Sequence, residues 1–374
     1  MGSKAGSGFI MDKDTLAVIG AGCWGTTLAA LEAHNFSRVN IFTREANVCE
    51  EILRFHTNES YLDDFTIPCN VVPTTSLEHA LDGASIVIVA VPSHAVREVT
   101  RRIGSISAER LPTVLATKGL EENTGLVSLE VWRQEAGYTA RRDPRDAMVL
   151  SGPNLAREIS RGLPAVSVLA GQEQGLVWGT VRKLSQPLFS LVGYHDPLGA
   201  QASGALKNVY AIGCGLAKGL GWGDNVTAAI IWRGLEETAF FAEAIGGDPA
   251  VIMTPAGLGD FVATCISPLS RNHDLGRIIA GAGGVNEEIR GIREGFQTAR
   301  EASRRGRSLG LELDLLEAIW SVVSGEDQPE AILEAACGAS DGTRGQAVAR
   351  GRAGRAEHPS AHRGYWPEMG VAAG

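Results

Sequence analysis

The chain has 374 residues, 44% of them hydrophobic and 21% charged, with a formal net charge of −9, which suits a globular protein long enough to build two cores. The acidic balance excludes a general nucleic-acid binder, because neutralising phosphates needs a basic face, but it leaves room for a small anionic ligand met by a few local cations. No apolar run reaches the roughly 18–20 residues of a membrane span, and residues 1–14 are polar, without the apolar segment of a signal peptide, so they read as a flexible leader on a cytosolic chain.

In chain order, residues 16–19 form a buried strand, 26–33 a helix and 38–42 a second strand. Further short apolar runs lie at 85–91, 112–116, 148–150 and 165–170. Strands apolar on both faces and separated by helical stretches predict an α/β domain over residues 15–195, a Rossmann-type doubly wound parallel sheet covered on two sides. After His195-Asp196-Pro197, which makes a turn, strand-like runs vanish. Helices are expected at 204–217, 227–245, 277–280, 287–304 and 313–324, an all-α C-terminal domain over 196–337. Residues 338–374 carry eight glycines and five arginines with little apolar periodicity, and are expected to be a disordered tail.

The six cysteines, Cys23, Cys49, Cys69, Cys214, Cys265 and Cys337, form no CxxC pair, and the eight histidines form no HExxH. A disulfide framework and a metal site are therefore not expected, in keeping with a reducing cytosol.

Gly20-Ala21-Gly22-Cys23-Trp24-Gly25 is a GxGxxG directly after one strand and before a helix. Gly20 permits the tight turn, Gly22 lets the backbone approach a pyrophosphate, and Gly25 lets the helix pack on the strand. A dinucleotide site follows. At the end of the second strand stand Thr43 and Arg44, with Glu45 past the tip; a guanidinium there suits a 2′-phosphate, which favours NADP(H) and leaves NAD(H) as a second cofactor. The Val91-Pro92-Ser93 turn ends another strand where a nicotinamide ribose should lie.

Reducing a ketone needs an acid or cation near the oxygen where charge develops, and a phosphorylated substrate needs further cations and donors. The sequence offers Lys118 in ATKGLE, Lys207 and Asn208 in SGALKNVYAIGCG, Asp260 in AGLGDFVATC, and Ser270-Arg271-Asn272. Lys207 lies within an apolar helical stretch, which is hard to explain as surface.

With these pieces in order, the chain resembles the NAD(P)-dependent glycerol-3-phosphate dehydrogenase family, bacterial type. The matching segments are IGAGCWGT, VAVPSH, ATKGLE, SGPNLAREISRGLP, GALKNVYAIGCGLAKGLG, TPAGLGDFVATC, SRN and REGFQTA, spanning about residues 15 to 325. The resemblance implies reversible reduction of dihydroxyacetone phosphate to sn-glycerol 3-phosphate, for glycerophospholipid synthesis, by a cytosolic homodimer. It implies that Lys207 is the acid/base, that Lys118 binds and polarises substrate, and that Asp260 orients Lys207 or its water and binds glycerol hydroxyls. Asn208, Ser270, Arg271 and Asn272 would hold phosphate, and Gly152 and Asn154 match substrate-side positions. Cys23, Trp24, Arg44, Pro92, Lys118, Ala156, Arg271 and Glu294 match positions at the cofactor. Asn154 is a less common variant after SGP, and the C-terminal end departs from the family's pattern after Ala336. Two other readings stay open: a relative acting on a modified triose phosphate or phosphonate, and a catalytically silent NADP-binding protein.

Overall fold

The computed structural model describes residues 14–106, 111–136, 147–282, 284 and 293–338. Most of the expected leader, all but the first residue of the expected tail, and residues 287–292 of one expected helix lie outside these. Strands β1 (Thr15–Ile19), β2 (Arg38–Phe42), β3 (Val71–Thr74), β4 (Ala84–Val89), β5 (Thr113–Leu115), β6 (Ala147–Ser151), β7 (Ala165–Ala170) and β8 (Phe189–Tyr194) form one sheet in the order β3-β2-β1-β4-β5-β6-β7-β8. The order reverses at β1, which pairs in parallel with both β2 and β4. Between these strands run helices α1 (Cys23–Glu32), α2 (Ala46–Phe55), α3 (Leu77–Leu81), α4 (Val96–Ile106), α5 (Ser128–Ala136), α6 (Ala156–Ile159) and α7 (Gln174–Leu184).

Alternation along the strands explains why both faces are covered. Ala17, Ile19, Val87 and Val89 point into one core, while Leu16, Val18, Ile86 and Ile88 point into the other. Successive side chains of a strand face opposite ways, so a strand apolar at every position needs two apolar layers.

Two features correct the expected sheet. The sheet is not wholly parallel: β6 and β7 pair antiparallel, Val149 opposite Ala170. The 13 residues between them hold only the single-turn α6, and a buried apolar run such as AVSVLA carries no direction in its composition. Second, β3 and β8 are additional strands at the two edges of the sheet. The former contains Pro73, which an edge strand tolerates, and the latter is only half buried. Helix α1 begins at Cys23, three residues before its expected start, and the strand expected over 85–91 ends at Val89.

The second half is helical: α8 (Pro197–Gly219), α9 (Asp224–Ala244), α10 (Asp260–Ile266), α11 (Arg271–Gly281), α12 (Arg293–Ser308), α13 (Asp314–Ser324) and α14 (Glu330–Cys337). The residues expected to turn at 195–197 start α8. The Asp196 carboxylate accepts from the amides of Leu198 at 3.0 Å and Gly199 at 2.9 Å, and Pro197 occupies the first turn. Helix α8 begins seven residues earlier than its apolar pattern indicated, and twenty of its 23 residues are buried. A helix apolar on every side must be surrounded; α8 packs against α9, α10, α11 and α12, and its side chains join the core on one face of the sheet. Against α11 the backbones touch. A Cβ on Gly215 would lie 2.0 Å from the His273 carbonyl oxygen, and one on Gly276 2.1 Å from that of Ile212. Among the described residues no helix is long and apolar enough to cross a membrane.

Glu32, at the end of α1, is buried with Asn35 Nδ2 donating to its Oε2 at 3.0 Å. Burial pushes its carboxyl up to about 8, against hydrogen bonds from Asn35 and Gln186. A carboxyl raised in the folded state holds its proton where the unfolded chain has released it, so stability falls as pH climbs from about 4.5 to about 8. Glu32→Gln should therefore change stability little at pH 5 and raise it by about 3 kcal/mol at pH 7. Thermal denaturation at both pH values checks this; an advantage that stays constant with pH would mean the carboxyl is ionised in the fold.

Candidate active site

The turn after β1 is shaped by three glycines with different reasons. Gly20 has φ 115°, and a Cβ there would sit 2.6 Å from the Ala90 carbonyl oxygen, so only glycine fits beside β4. A Cβ on Gly25 would lie 1.8 Å from the Gly20 carbonyl oxygen. Gly22 differs: nothing lies within 4 Å of its Cβ position, and it caps α1 without a side-chain hydrogen bond to the first-turn amides. The fold gives no reason for glycine at this position. An anion drawn to the helix N-terminus does, and the residues present fit the diphosphate of a dinucleotide.

Sequence reading missed what braces this turn. The fully buried Asn58 donates Nδ2 to the Ala21 carbonyl at 2.9 Å and to Thr26 Oγ1 at 2.8 Å. It stands 32 residues from Thr26, with no spacing signal to mark it. The other expected cofactor residues come from several elements. Cys23 opens α1; burial pushes its thiol up, opposed by the charges of Arg157 and Arg271. The Trp24 ring meets Phe189 edge-on with centroids 6.4 Å apart, and its Nε1 is buried without a partner among the described residues. Ala156 opens α6, which packs on α1. Arg44 lies exposed two residues past β2, and its neighbour Glu45 accepts from Tyr61 Oη at 2.7 Å. Pro92 is exposed and leads a single 3₁₀ turn, Ser93–Ala95, past β4. Glu294 belongs to the first turn of α12, and its side chain lies outside the described residues.

Three of the expected catalytic residues meet on one carboxylate. Asp260, 1% exposed, accepts from Lys207 Nζ on Oδ1 and from Lys118 Nζ on Oδ2, the latter at 2.7 Å. Lys118 also donates to the Gly152 carbonyl at 2.7 Å. Lys207, 6% exposed, also donates to Thr264 Oγ1 at 2.8 Å. Thr264 in turn donates to the Asp260 carbonyl at 2.6 Å, which leaves its lone pairs toward the lysine. Thr264 is a second residue that sequence reading passed over, although it stands one helical turn after Asp260.

Different elements bring the groups together. Lys207 sits midway along α8, Lys118 on the loop after β5, and Asp260 at the start of α10, behind a tight π-turn over Pro255–Gly259. Gly204, one turn before Lys207, faces the Lys118 stem: its Cβ position is 3.6 Å from Lys118 Cγ. The Lys118 loop also lies against the end of β4, where Thr117 Oγ1 donates to the Val91 carbonyl at 2.7 Å and Ser93 flanks Gly119. The cluster therefore borders the carboxyl ends of the strands, beside the switch point at which a doubly wound sheet binds its ligand.

Burial lowers the Lys207 ammonium to about 7; Asp260 holds it up, and the positive charge of Lys118 lowers it further. Two cations on one anion leave a local excess of positive charge. Next to Lys207 lies Asn208, half buried, and α11 begins with Ser270, whose Oγ accepts from the His273 amide at 3.3 Å, followed by Arg271 and Asn272. On the β6 side, Ser167 Oγ donates to Asn154 Oδ1, and Asn154 Nδ2 is buried without a partner among the described residues. Among the described residues no group of three or more His, Cys, Asp or Glu could hold a metal ion. A proton donor with acidity near neutrality, a second ammonium and a helix N-terminus with an arginine together can protonate an oxyanion and bind a doubly charged group.

The chain is similar to known proteins. The profile of the NAD-dependent glycerol-3-phosphate dehydrogenase N-terminus matches residues 15–177, and that of the C-terminus matches residues 196–334. The glycerol-3-phosphate dehydrogenase (NAD(P)+) of Stenotrophomonas maltophilia is 35% identical over 325 residues, 86% of this chain and 94% of its own length. That of Xanthomonas oryzae pv. oryzae is 37% identical over 322 residues, 85% and 93%. The glycerol-3-phosphate dehydrogenase structure from Coxiella burnetii superposes with a TM-score of 0.79 at 28% identity, covering 87% of this chain and 99% of its own. The Saccharomyces cerevisiae structure, at 24% identity and a TM-score of 0.74, shares the fold.

The contrast between two glycines of the turn is testable. Gly22→Ala should fold with nearly unchanged Tm yet weaken dinucleotide binding at least ~10-fold, since the added methyl meets ligand rather than protein. Gly25→Ala should lower Tm as well, because its methyl strikes the Gly20 carbonyl. Nucleotide titration and thermal melts read both; unchanged binding in Gly22→Ala would remove the diphosphate from this turn.

Proposed function

The chain belongs to the NAD-dependent glycerol-3-phosphate dehydrogenase family, and on that premise we infer that it interconverts dihydroxyacetone phosphate and sn-glycerol 3-phosphate, with Lys207 moving the proton. The observation that carries the assignment of roles is the buried Asp260 shared by Lys207 and Lys118. Residues 15–195 bind the dinucleotide and residues 196–337 supply the acid/base and most of the phosphate site. We take the enzyme to be a cytosolic homodimer that uses NADP(H) in preference to NAD(H).

When bound, the reduced dinucleotide supplies a hydride to the carbonyl carbon. Charge then develops on the carbonyl oxygen, and an alkoxide in a dry site is costly unless it is protonated or paired. An ammonium has three donors. Lys207 commits two, to Asp260 and Thr264, and the third serves the substrate oxygen, which takes the proton. In the reverse direction the neutral amine accepts it. Lys118 adds a fixed positive charge to the same oxygen and to the ligand's hydroxyl side. Asn208, Ser270, Arg271 and Asn272 receive the phosphate at the start of α11, while Gly152 and the Asn154 amide line the opposite wall.

The pH dependence follows from the acidity of Lys207 near 7. Reduction needs the ammonium, so its kcat should fall as pH rises through about 7. Oxidation needs the amine and should rise through the same range. Adding dihydroxyacetone phosphate should oxidise NADPH, whereas unphosphorylated dihydroxyacetone should give a kcat/KM at least ~100-fold lower. Lys207→Ala should cut kcat by at least ~100-fold with dinucleotide affinity unchanged. Lys207→Arg should rescue little, because a guanidinium does not release its proton near neutrality. Equal kcat/KM for the two ketones would refute the phosphate site, and a Lys207→Ala enzyme with normal kcat would refute the proton role.

For the cofactor, Arg44→Asp should shift preference toward NADH by about 1–3 kcal/mol in relative transition-state stabilisation, the worth of one charge-assisted contact. A carboxylate there repels a 2′-phosphate and can accept from a 2′-hydroxyl. Steady-state kinetics with both nucleotides measure the ratio; no change would make Arg44 a solvated surface residue.

A further inference from the structure

The loop that carries Lys118 is fastened by an ion-pair network outside the reacting groups. Arg97 stands at the start of α4, just beyond the Ser93–Ala95 turn. Its guanidinium forks onto Glu121, with Nε donating to Oε1 at 2.8 Å and Nη2 to Oε2 at 2.7 Å. Its Nη1 donates to Glu135 Oε1 at 2.6 Å and its Nη2 also reaches Gln134 Oε1 at 2.9 Å. Arg101, one turn further, bonds Glu135 Oε2 at 3.1 Å. The side chains of Glu121 and Glu135 are 9% and 4% exposed.

Glu121 lies three residues after Lys118 and closes a tight turn. Its amide donates to the Leu126 carbonyl at 2.8 Å, its carbonyl accepts from the Gly125 amide at 2.9 Å, and Thr124 Oγ1 donates to its Oε2 at 2.6 Å. Burial alone would raise the Glu121 carboxyl; Arg97 and Thr124 outweigh it and keep the carboxyl below the usual range. Ion pairs this buried add little net stability, because desolvation offsets the attraction. A bidentate fork instead fixes a direction and a distance. The helical half meets this loop at the Lys118 side chain, through Asp260, and again beyond Glu121, at Glu122 to Arg300 and Glu130 to Arg305, each 3.0 Å. Between those two places Arg97 is the guanidinium that holds the Glu121 end of the segment.

We propose that Arg97 is the positioning residue for Lys118, setting the loop after β5 so that the Lys118 ammonium lands on Asp260 and meets the substrate. The proposal rests on the assignment of Lys118 as a substrate-binding group. It ties the helix that follows the Pro92–Ser93 turn to the lysine on the adjacent loop, so that cofactor and substrate sides are held in one frame.

The test is the double variant Arg97→Met/Glu121→Gln, which removes both charges while keeping similar shapes, beside Arg97→Lys, which keeps charge without the fork. Calorimetric binding of sn-glycerol 3-phosphate to the protein without nucleotide should weaken about tenfold in the double variant and by less in Arg97→Lys. KM for dihydroxyacetone phosphate should rise more than kcat falls, and by more than NADPH affinity weakens. The groups facing Lys207 are Lys118 from the β5 loop and Asp260, Thr264 and Cys265 from α10. Displacing Lys118 removes the one that lowers its acidity range, so the alkaline limb of reduction should move to higher pH. A lower Tm with unchanged ligand affinity, KM and pH profile would make the network merely structural and overturn the proposal. If the double variant does not fold, unchanged values in Arg97→Lys overturn it alone. Failure of the assigned reaction is a separate result, since it would appear as no turnover in the unaltered protein.

Discussion

A carboxylate removed from water stays ionised only when charges and donors replace its hydration. Asp260 meets that condition by taking one ammonium on each oxygen, and Lys207 stays partly protonated in its burial only because Asp260 is there. The site is therefore a mutual arrangement: the acidity of Lys207 is set by its burial, by Asp260 and by Lys118 together. Because one lysine comes from the sheet-bearing half and the other from α8, the same carboxylate also registers the alignment of the two halves. A shift of either half would strand a buried charge.

That constraint explains why the acid/base sits on α8. Helix α8 is surrounded on all sides, and at its α11 crossing the backbones touch through Gly215 and Gly276. The crossing brings the start of α11, with Ser270, Arg271 and Asn272, to a fixed place relative to Lys207. The charge-bearing ends thus rest on close backbone packing rather than on loops, whose positions are the least defined part of a fold. The cofactor turn has the same logic on the other side, where Asn58 and Thr26 hold the Ala21 carbonyl from within the core.

Motifs with a fixed local spacing were legible from the sequence, and so was the central sheet. GxGxxG announces a turn because each glycine answers a local steric demand, and Lys207 stood out because an ammonium in an apolar helix needs a reason. The edge strands β3 and β8 were not legible: one is interrupted by Pro73, the other half exposed, so neither reads as a buried run. The direction of β7 was not legible either, since AVSVLA buries equally well running either way. Partners distant in sequence were hidden for a different reason. Asn58, Ser167 and the Arg97 network act through pairings 13 to 38 residues apart, and no local pattern encodes which polar residue will face which.

The overall charge of −9 shows how far composition stands from a site. A net acidic chain would repel a phosphorylated substrate if its charges were spread evenly. They are not: Lys118 and Lys207 share a single carboxylate, and the charges of Arg157 and Arg271 act at Cys23 beside the cofactor turn. Fields from the remote carboxylates are screened within about 8–10 Å in salt, whereas the buried ammonium of Lys207 and the largely buried one of Lys118 are screened much less. Attraction of an anion is thus confined to the place where the chemistry occurs, and the acidic exterior discourages the nonspecific anion binding that a basic surface would invite.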